Sequence, residues 1–320
     1  MQRVEIEPSM DVVKWQKLTW VNIKRPTEQA MQYLAQNYAF HPLTLDDCLS
    51  GVHLPEIHEY ENYIFIILHF PVFDPHSRIT VSSQVAIFLG KDFLVTVHSG
   101  DLKPLANLPL SCQKDDRVCG EYLGQDSCYL LYRIVDALVD YCFPIVDKTL
   151  SNLGKIEDKV FDSKRDVSRE VTILRRDIAA QRRIIGLVKN VIAGLGQKVE
   201  RFAQADLKAY FGDVNDHVNH LWNDIEECHE TIEIYKDTHM LLRQEKTNKI
   251  IAVLTILFTV TLPATVVATL FGMHVNIPGG SETGGWTGFL GSYTTFIIVL
   301  LVSFASAVIM LLLFRRWRWL

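Results

Sequence analysis

The sequence has no CxxC pair, no apolar stretch near its start, no glycine-rich phosphate loop and no basic stripe, and each absence removes a class of function. Its six cysteines, Cys48, Cys112, Cys119, Cys128, Cys142 and Cys228, form no regular framework and read as small buried apolar residues of a cytoplasmic domain. Met1 to Met10 is mixed and acidic, without the apolar core of a secretory signal, so the long polar part is expected to stay on the side of synthesis. A net charge of −5 lacks the basic footprint of a nucleic-acid binder, and none is expected as a partner. The nearest glycine cluster, Gly279-Gly280 and Gly284-Gly285, has no following lysine, and no Ser/His/Asp signature is evident. The chain does not read as an enzyme.

Charge is missing altogether from two segments, Ile250 to Phe271 and Tyr293 to Phe314. Each has about the 20 residues needed to cross a bilayer core of about 30 Å. The loop between them, Gly272 to Ser292, carries no Lys or Arg and one acid, Glu282. Arg243, Lys246 and Lys249 precede the first segment, and Arg315, Arg316 and Arg318 follow the second, with Trp317 and Trp319 as interfacial anchors. The positive-inside rule therefore predicts a multi-pass protein with both termini cytoplasmic and the loop outside. Two helices cannot enclose a pathway, so a transporter of this kind requires an oligomer.

The polar part opens with strand-like runs. Leu18 to Ile23 is a strand, Thr27 caps a helix to about Tyr38, and Pro42 favours another helix start. Tyr63 to Phe73 is a nearly continuous apolar run broken by Pro71. Val81 to Leu89 and Phe93 to Val97 are strands joined by a hairpin-like Gly90-Lys91-Asp92 turn. From about Asp126 apolar residues fall at helical spacing, Pro144 kinks or ends a helix, and Arg165 to Lys189 is a further helix followed by a turn at Gly194 and Gly196. From about Val199 to Phe271 the pattern is one helix on the order of 100 Å long, unless Gly212 or Asn223-Asp224 divides it. Asp213, Asp216, Asp224, Glu226, Glu227, Glu230, Glu233 and Asp237 along it read mostly as a solvated face. On one face Glu226 pairs with Glu230, or His229 with Glu233, a weak metal pattern; His217, His220, His229 and His239 read as satisfied or solvent-facing.

Several segments together resemble the CorA family of pentameric divalent-cation channels, which includes the ZntB zinc transporters. They are Tyr210-Phe211 with Asp213-Val214 and Asp216-His217, Thr247-Asn248-Lys249, Leu254-Thr255-Ile256, Leu262-Pro263, Phe271-Gly272-Met273, and the basic, tryptophan-bearing tail. His41-Pro42-Leu43 followed by Leu45-Asp46-Asp47 is a further match. The chain departs from the family at its signature Gly-Met-Asn, reading Gly272-Met273-His274 with Asn276 two places on, and it lacks Met-Pro-Glu-Leu. Asn276-Ile277-Pro278-Gly279-Gly280 is closer to ZntB-like loops.

The resemblance implies an α+β architecture: a cytoplasmic α/β N-terminal domain (1–197) with a helical second half, a stalk helix (198–249), and a two-helix transmembrane domain (250–320). Within the last, the spans are 250–271 and 293–314, the outer loop 272–292 and the basic tail 315–320. It also implies a funnel-shaped homopentamer in the inner (plasma) membrane. Its cargo would be Mg²⁺ or another divalent cation, Zn²⁺, Co²⁺ or Ni²⁺, and such an ion would also regulate it. The first span would line the pore with Asn248, Ile251, Leu254 or Thr255, Phe258 and Leu262, where apolar rings close by excluding water. Gly272, Met273, His274, Asn276 and Glu282 would form the outer selectivity loop. A histidine ring there binds transition metals directly or hydrogen-bonds water according to protonation; alternatively Asn276 replaces the missing amide and His274 packs against Trp286. Asp213 matches the position that holds regulatory Mg²⁺ between subunits, and Asp237 would add an acidic ring near the inner entrance. The competing reading is a non-transporting relative that serves as a metal sensor or membrane scaffold.

Overall fold

The computed structural model describes residues 9–51, 53–162, 166–272 and 294–316. The chain forms two compact units, Met1–Thr238 and His239–Leu320.

The first unit is built on a six-stranded sheet of order β1-β2-β6-β5-β4-β3, with β1 Met10–Trp15, β2 Leu18–Lys24, β3 Glu56–Glu59, β4 Tyr63–Asp74, β5 Ile79–Gly90 and β6 Phe93–His98. Only β2 and β6 run parallel; the other neighbours are antiparallel. The apolar run of β4 follows from burial on both faces. Ile64, Ile66, Leu68 and Phe70 enter one core, and Phe65 and Ile67 the other. Pro71 does not interrupt β4, contrary to the reading of the sequence: it sits opposite Ser82. Because β3 pairs only with Ile64–Ile67, β4 has a neighbour on one side alone at Pro71, where a missing N–H is tolerated. The hairpin between β5 and β6 forms as expected, with Leu89 opposite Leu94.

Helices α1 (Glu28–Asn37) and α2 (Pro42–Ser50) cover the second face. Thr27 caps α1 by accepting from the Ala30 N–H at 3.1 Å, and Pro42 opens α2. The first face packs under α3 (Lys103–Lys114), α4 (Asp116–Leu123), α5 (Ser127–Asp140), α6 (Phe143–Val160), α7 (Ser168–Val199) and the start of α8 (Lys208–Gly272). Pro144 lies in the first turn of α6, where it has no backbone bond to lose. All six cysteines are buried and free. A buried polar tie joins α7 to the sheet: Asp177 accepts from the Thr80 N–H at 2.5 Å and from the Gln181 amide at 3.0 Å.

Two helix boundaries differ from the sequence reading. Gly194 and Gly196 make no turn, because α7 runs through them to Val199, and the break falls at 200–207, so α8 starts at Lys208 and not near Val199. Two glycines of α7, Gly186 and Gly196, mark helix contact instead of a bend. A Cβ at Gly196 would lie 3.0 Å from the Phe211 Cβ, and one at Gly186 would lie 2.6 Å from Cζ3 of Trp222, so α7 and α8 approach closely there. Gly194 meets nothing within 4 Å. The paired substitutions should therefore differ in sign. Gly194→Ala is expected to stabilise by about 1 kcal/mol through helix propensity. At Gly186→Ala an overpacking cost of about 1–3 kcal/mol offsets that gain, for a net loss. Denaturant midpoints of the two variants check this. Neither Gly212 nor Asn223-Asp224 interrupts α8.

In the second unit, α8 carries one segment long and apolar enough to cross a membrane, and α9 spans Thr294–Arg316. Pro263 lies inside α8 without ending it. The threonines of this segment satisfy themselves: Thr255, Thr259, Thr261, Thr265 and Thr269 each donate to the carbonyl four residues back, at 2.7–2.9 Å. That local bonding lets hydroxyls sit in an apolar helix without an external partner.

Candidate metal centre

Where α5 packs against α8, two pairs of residues at helical i, i+4 spacing face each other. Asp136 and Asp140 come from α5, Asp213 and His217 from α8. The apolar stripe of α5, including Leu131, Ile134, Val135, Leu138 and Val139, is buried against the core. That orientation turns Asp136 and Asp140 toward the rim of the α8 contact. On α8, Phe211, Val214, Val218 and Leu221 are the buried counterpart, which leaves Asp213 and His217 at the same rim.

One ligand atom each from Asp136, Asp140 and His217 can be chosen so that all three lie within 4.8 Å of one another. The His217 Nδ1 stands 4.0 Å from an oxygen of Asp136 and 4.0 Å from one of Asp140, and its Nε2 is 3.9 Å from Asp213. These separations exceed a hydrogen bond. The Nδ1 atom is buried and has no hydrogen-bond partner, with Phe143 edge-on to the ring at 6.0 Å. Burial, reinforced by the adjacent Asp140 carboxylate, pushes the Asp136 carboxyl above the ordinary range. An orphaned imidazole nitrogen facing clustered carboxylates fits a divalent cation, which would relieve both costs. One imidazole with carboxylates suits Mn²⁺, Co²⁺, Ni²⁺ or Zn²⁺, while carboxylates and water alone suit Mg²⁺.

Several of the remaining acids of α8 are held in ion pairs. Glu226 accepts from Arg182 at 2.6 Å, and Glu233 accepts from Arg175 and from Lys236. Glu226 and Glu233, the acids of the pairings Glu226 with Glu230 and His229 with Glu233, are thus held in ion pairs, while the buried Nδ1 of His229 has no hydrogen-bond partner. His220 pairs with Asp224 at 3.1 Å, as a satisfied histidine should, whereas His217 and His229, each with a buried Nδ1 that has no hydrogen-bond partner, depart from that reading. Asp237 is exposed and 3.3 Å from the Lys236 ammonium. Asp136 and Asp140 were not picked out in the sequence. Their signal is weak there: two acids four apart on a helix whose partner histidine lies far along the chain.

In the membrane segment, Asn248, Ile251, Leu254, Thr255, Phe258 and Leu262 follow one another at helical spacing on α8. All but the half-buried Thr255 are exposed in the single chain. Gly272 ends the helix. Met273, His274, Asn276 and Glu282, together with the rest of the expected outer loop, Trp286, and the tail from Trp317, lie outside the described residues.

Comparison with known proteins gives a consistent answer. The model of the family described as CorA-like Mg2+ transporter protein matches residues 15–316. The cobalt/magnesium transport protein CorA of Thermotoga maritima is 26% identical over 307 residues, covering 94% of this chain and 83% of that protein. A zinc transport protein ZntB from an Enterobacter species is 22% identical over 160 residues, half of this chain. Among solved structures, the CorA magnesium transporter from Methanocaldococcus jannaschii superposes with a TM-score of 0.74 at 19% identity, covering 99% of this chain and 97% of that one. The full-length CmaX protein gives a TM-score of 0.72 at 18% identity, covering 99% and 91%. The chain belongs to the CorA-like transporter family, whose members move divalent cations and are not enzymes.

Proposed function

We propose that this chain is the subunit of a homopentameric divalent-cation channel in the inner (plasma) membrane, with both termini cytoplasmic. Its three parts would be a cytoplasmic domain (1–197), a stalk (198–249) and a two-helix membrane domain (250–320). The observation that carries the reading is the continuity of α8: the helix holding Asp213 and His217 is the one that continues into the apolar segment. An ion held at its start can thereby bias the helix that lines the pore. Ile251, Leu254, Phe258 and Leu262 would close the pathway by dewetting, with Asn248 and Thr255 as polar steps. Carbonyls at the C-terminal helix ends would draw cations to an outer mouth formed by Gly272, Met273, His274, Asn276 and Glu282. High internal cation would occupy the α5–α8 centre, with Asp237 adding negative charge, and favour the closed state. A metal sensor without transport would keep this centre and lose the flux.

Uptake into proteoliposomes loaded with Mg²⁺- and Zn²⁺-sensitive dyes tests the reading. Leu254→Ala is expected to raise flux, because a smaller ring admits water. Zn²⁺ flux above Mg²⁺ flux that reverses in His274→Asn makes the histidine ring the filter. Mg²⁺ flux indifferent to that change moves the filter to Asn276 or the backbone. No flux of either ion, even with Leu254 truncated, sinks the channel and leaves the sensor.

A further inference from the structure

The antiparallel pair α7–α8 is laced by salt bridges in a regular step. Arg175 pairs with Glu233, and seven residues further along both helices Arg182 pairs with Glu226. The same step brings Lys189 opposite Asn219, where no carboxylate waits. The ladder thus ends with cations in excess. Arg183, exposed beside it, also lacks an acidic partner among the described residues, and so does Lys189.

A groove of about 520 Å³ opens at this point, lined by Arg182, Arg183, Gly186, Lys189, Asn190 and Trp222 among others. Its floor depends on Gly186, whose missing side chain lets the Trp222 indole lie against α7. The Lys189 ammonium sits 5.3 Å and the Arg182 guanidinium 5.8 Å from the indole ring centre. Trp222 therefore holds two cations at the rim. Of the three cations lining the groove only Arg182 has an acidic partner among the described residues, Glu226, which leaves a net positive charge, and the Asn190 amide adds neutral donors.

We propose that this groove binds a polyphosphate chain, free or as part of a nucleoside polyphosphate. Forked guanidinium donors and an ammonium with no acidic partner suit clustered phosphate oxygens. The volume suits a small ligand. Such a site shares no residue with the carboxylate–histidine centre and takes the opposite charge. It would let the protein respond to the anions that compete for its cation, since Mg²⁺ is commonly held through phosphates.

The test is binding of ATP, tripolyphosphate and AMP to the full-length protein in detergent, in metal-free, low-salt buffer, by calorimetry and by Trp222 emission. Arg183→Gln and Lys189→Gln are each expected to weaken ATP binding about tenfold, with little loss in His217→Ala. Equal affinity for ATP and tripolyphosphate identifies the chain of phosphates as the ligand, and tighter ATP adds a contact to the base. AMP should bind most weakly. Absence of binding by both ATP and tripolyphosphate, or affinity unchanged in the double variant Arg183→Gln/Lys189→Gln, overturns the proposal. Calorimetric binding in Trp222→Phe, with the emission change lost, ties the signal to the groove.

Discussion

Saturating metal-free protein with Co²⁺ or Mn²⁺ is expected to raise its melting temperature by about 5–10 °C, corresponding to about 2.7 kcal/mol at a hundredfold excess over Kd. The gain comes from the α5–α8 centre, where a buried imidazole nitrogen has no partner and Asp136 is held beside Asp140. Without an ion these groups cost stability; with one bound they would be its ligands. Asp140→Asn therefore separates the two states. It removes carboxylate repulsion, so the metal-free variant should melt no lower than the parent, yet most of the metal-induced rise should vanish. His217→Ala should abolish the Co²⁺ response and spare part of the Mg²⁺ response, since only the transition metals exploit an imidazole. The effect should weaken as pH falls, because a proton on Asp136 competes with the ion. Differential scanning fluorimetry across a metal series reads all three. An undiminished Co²⁺ shift in both variants would place the responsible site elsewhere.

An apolar segment long enough to cross a membrane, the long helix that carries it and the family were legible in the sequence because they rest on runs and local motifs: charge absent for twenty residues, helical spacing without breakers, and short matching segments along the chain. Pairings over long distance were not. Asp136 and Asp140 acquire meaning only once α5 lies against α8, and nothing near them names His217 as their neighbour. Gly194 and Gly196 misled for a related reason. Glycine signals a turn locally, but between packed helices it equally signals close approach, and Gly196 against Phe211 is decided by tertiary contact. Pro71 is the sheet counterpart, since the length of β3 determines whether a proline in β4 is harmful. The expected selectivity loop, Gly272 to Glu282, is where the chain departs from the family's own signature, so the resemblance does not name its ion.

Acidification from pH 6.5 to 4 should remove about 3 kcal/mol of folding stability through one residue, His98. The side chain is 2% exposed, and burial, with a smaller effect from Lys24, pulls its pKa down from 6.5 to about 4 against the opposing pull of Asp101 and Asp11. Hydrogen bonding explains why the ring resists protonation. Its Nδ1 accepts from the Gly100 N–H at 3.1 Å, and its Nε2 lies 3.2 Å from the Asn22 side-chain oxygen, an acceptor that also takes the Thr96 hydroxyl at 2.7 Å. Nε2 must then carry the single proton, and a second one on Nδ1 would oppose the Gly100 N–H. Between pH 6.5 and about 4 the unfolded chain binds a proton that the folded chain refuses. The contribution is therefore complete above pH 6.5 and lost as pH falls toward 4. His69, also lowered by burial, adds a smaller slope in the same direction. His98→Gln keeps a donor for Asn22 and cannot titrate. Its stability at pH 7 should drop through imperfect packing, while its dependence on pH over this window should flatten relative to the parent. Urea midpoints at pH 7, 6, 5 and 4.5 for the two proteins give the difference directly, and parallel slopes would show that His98 is not the group that makes the fold acid-labile.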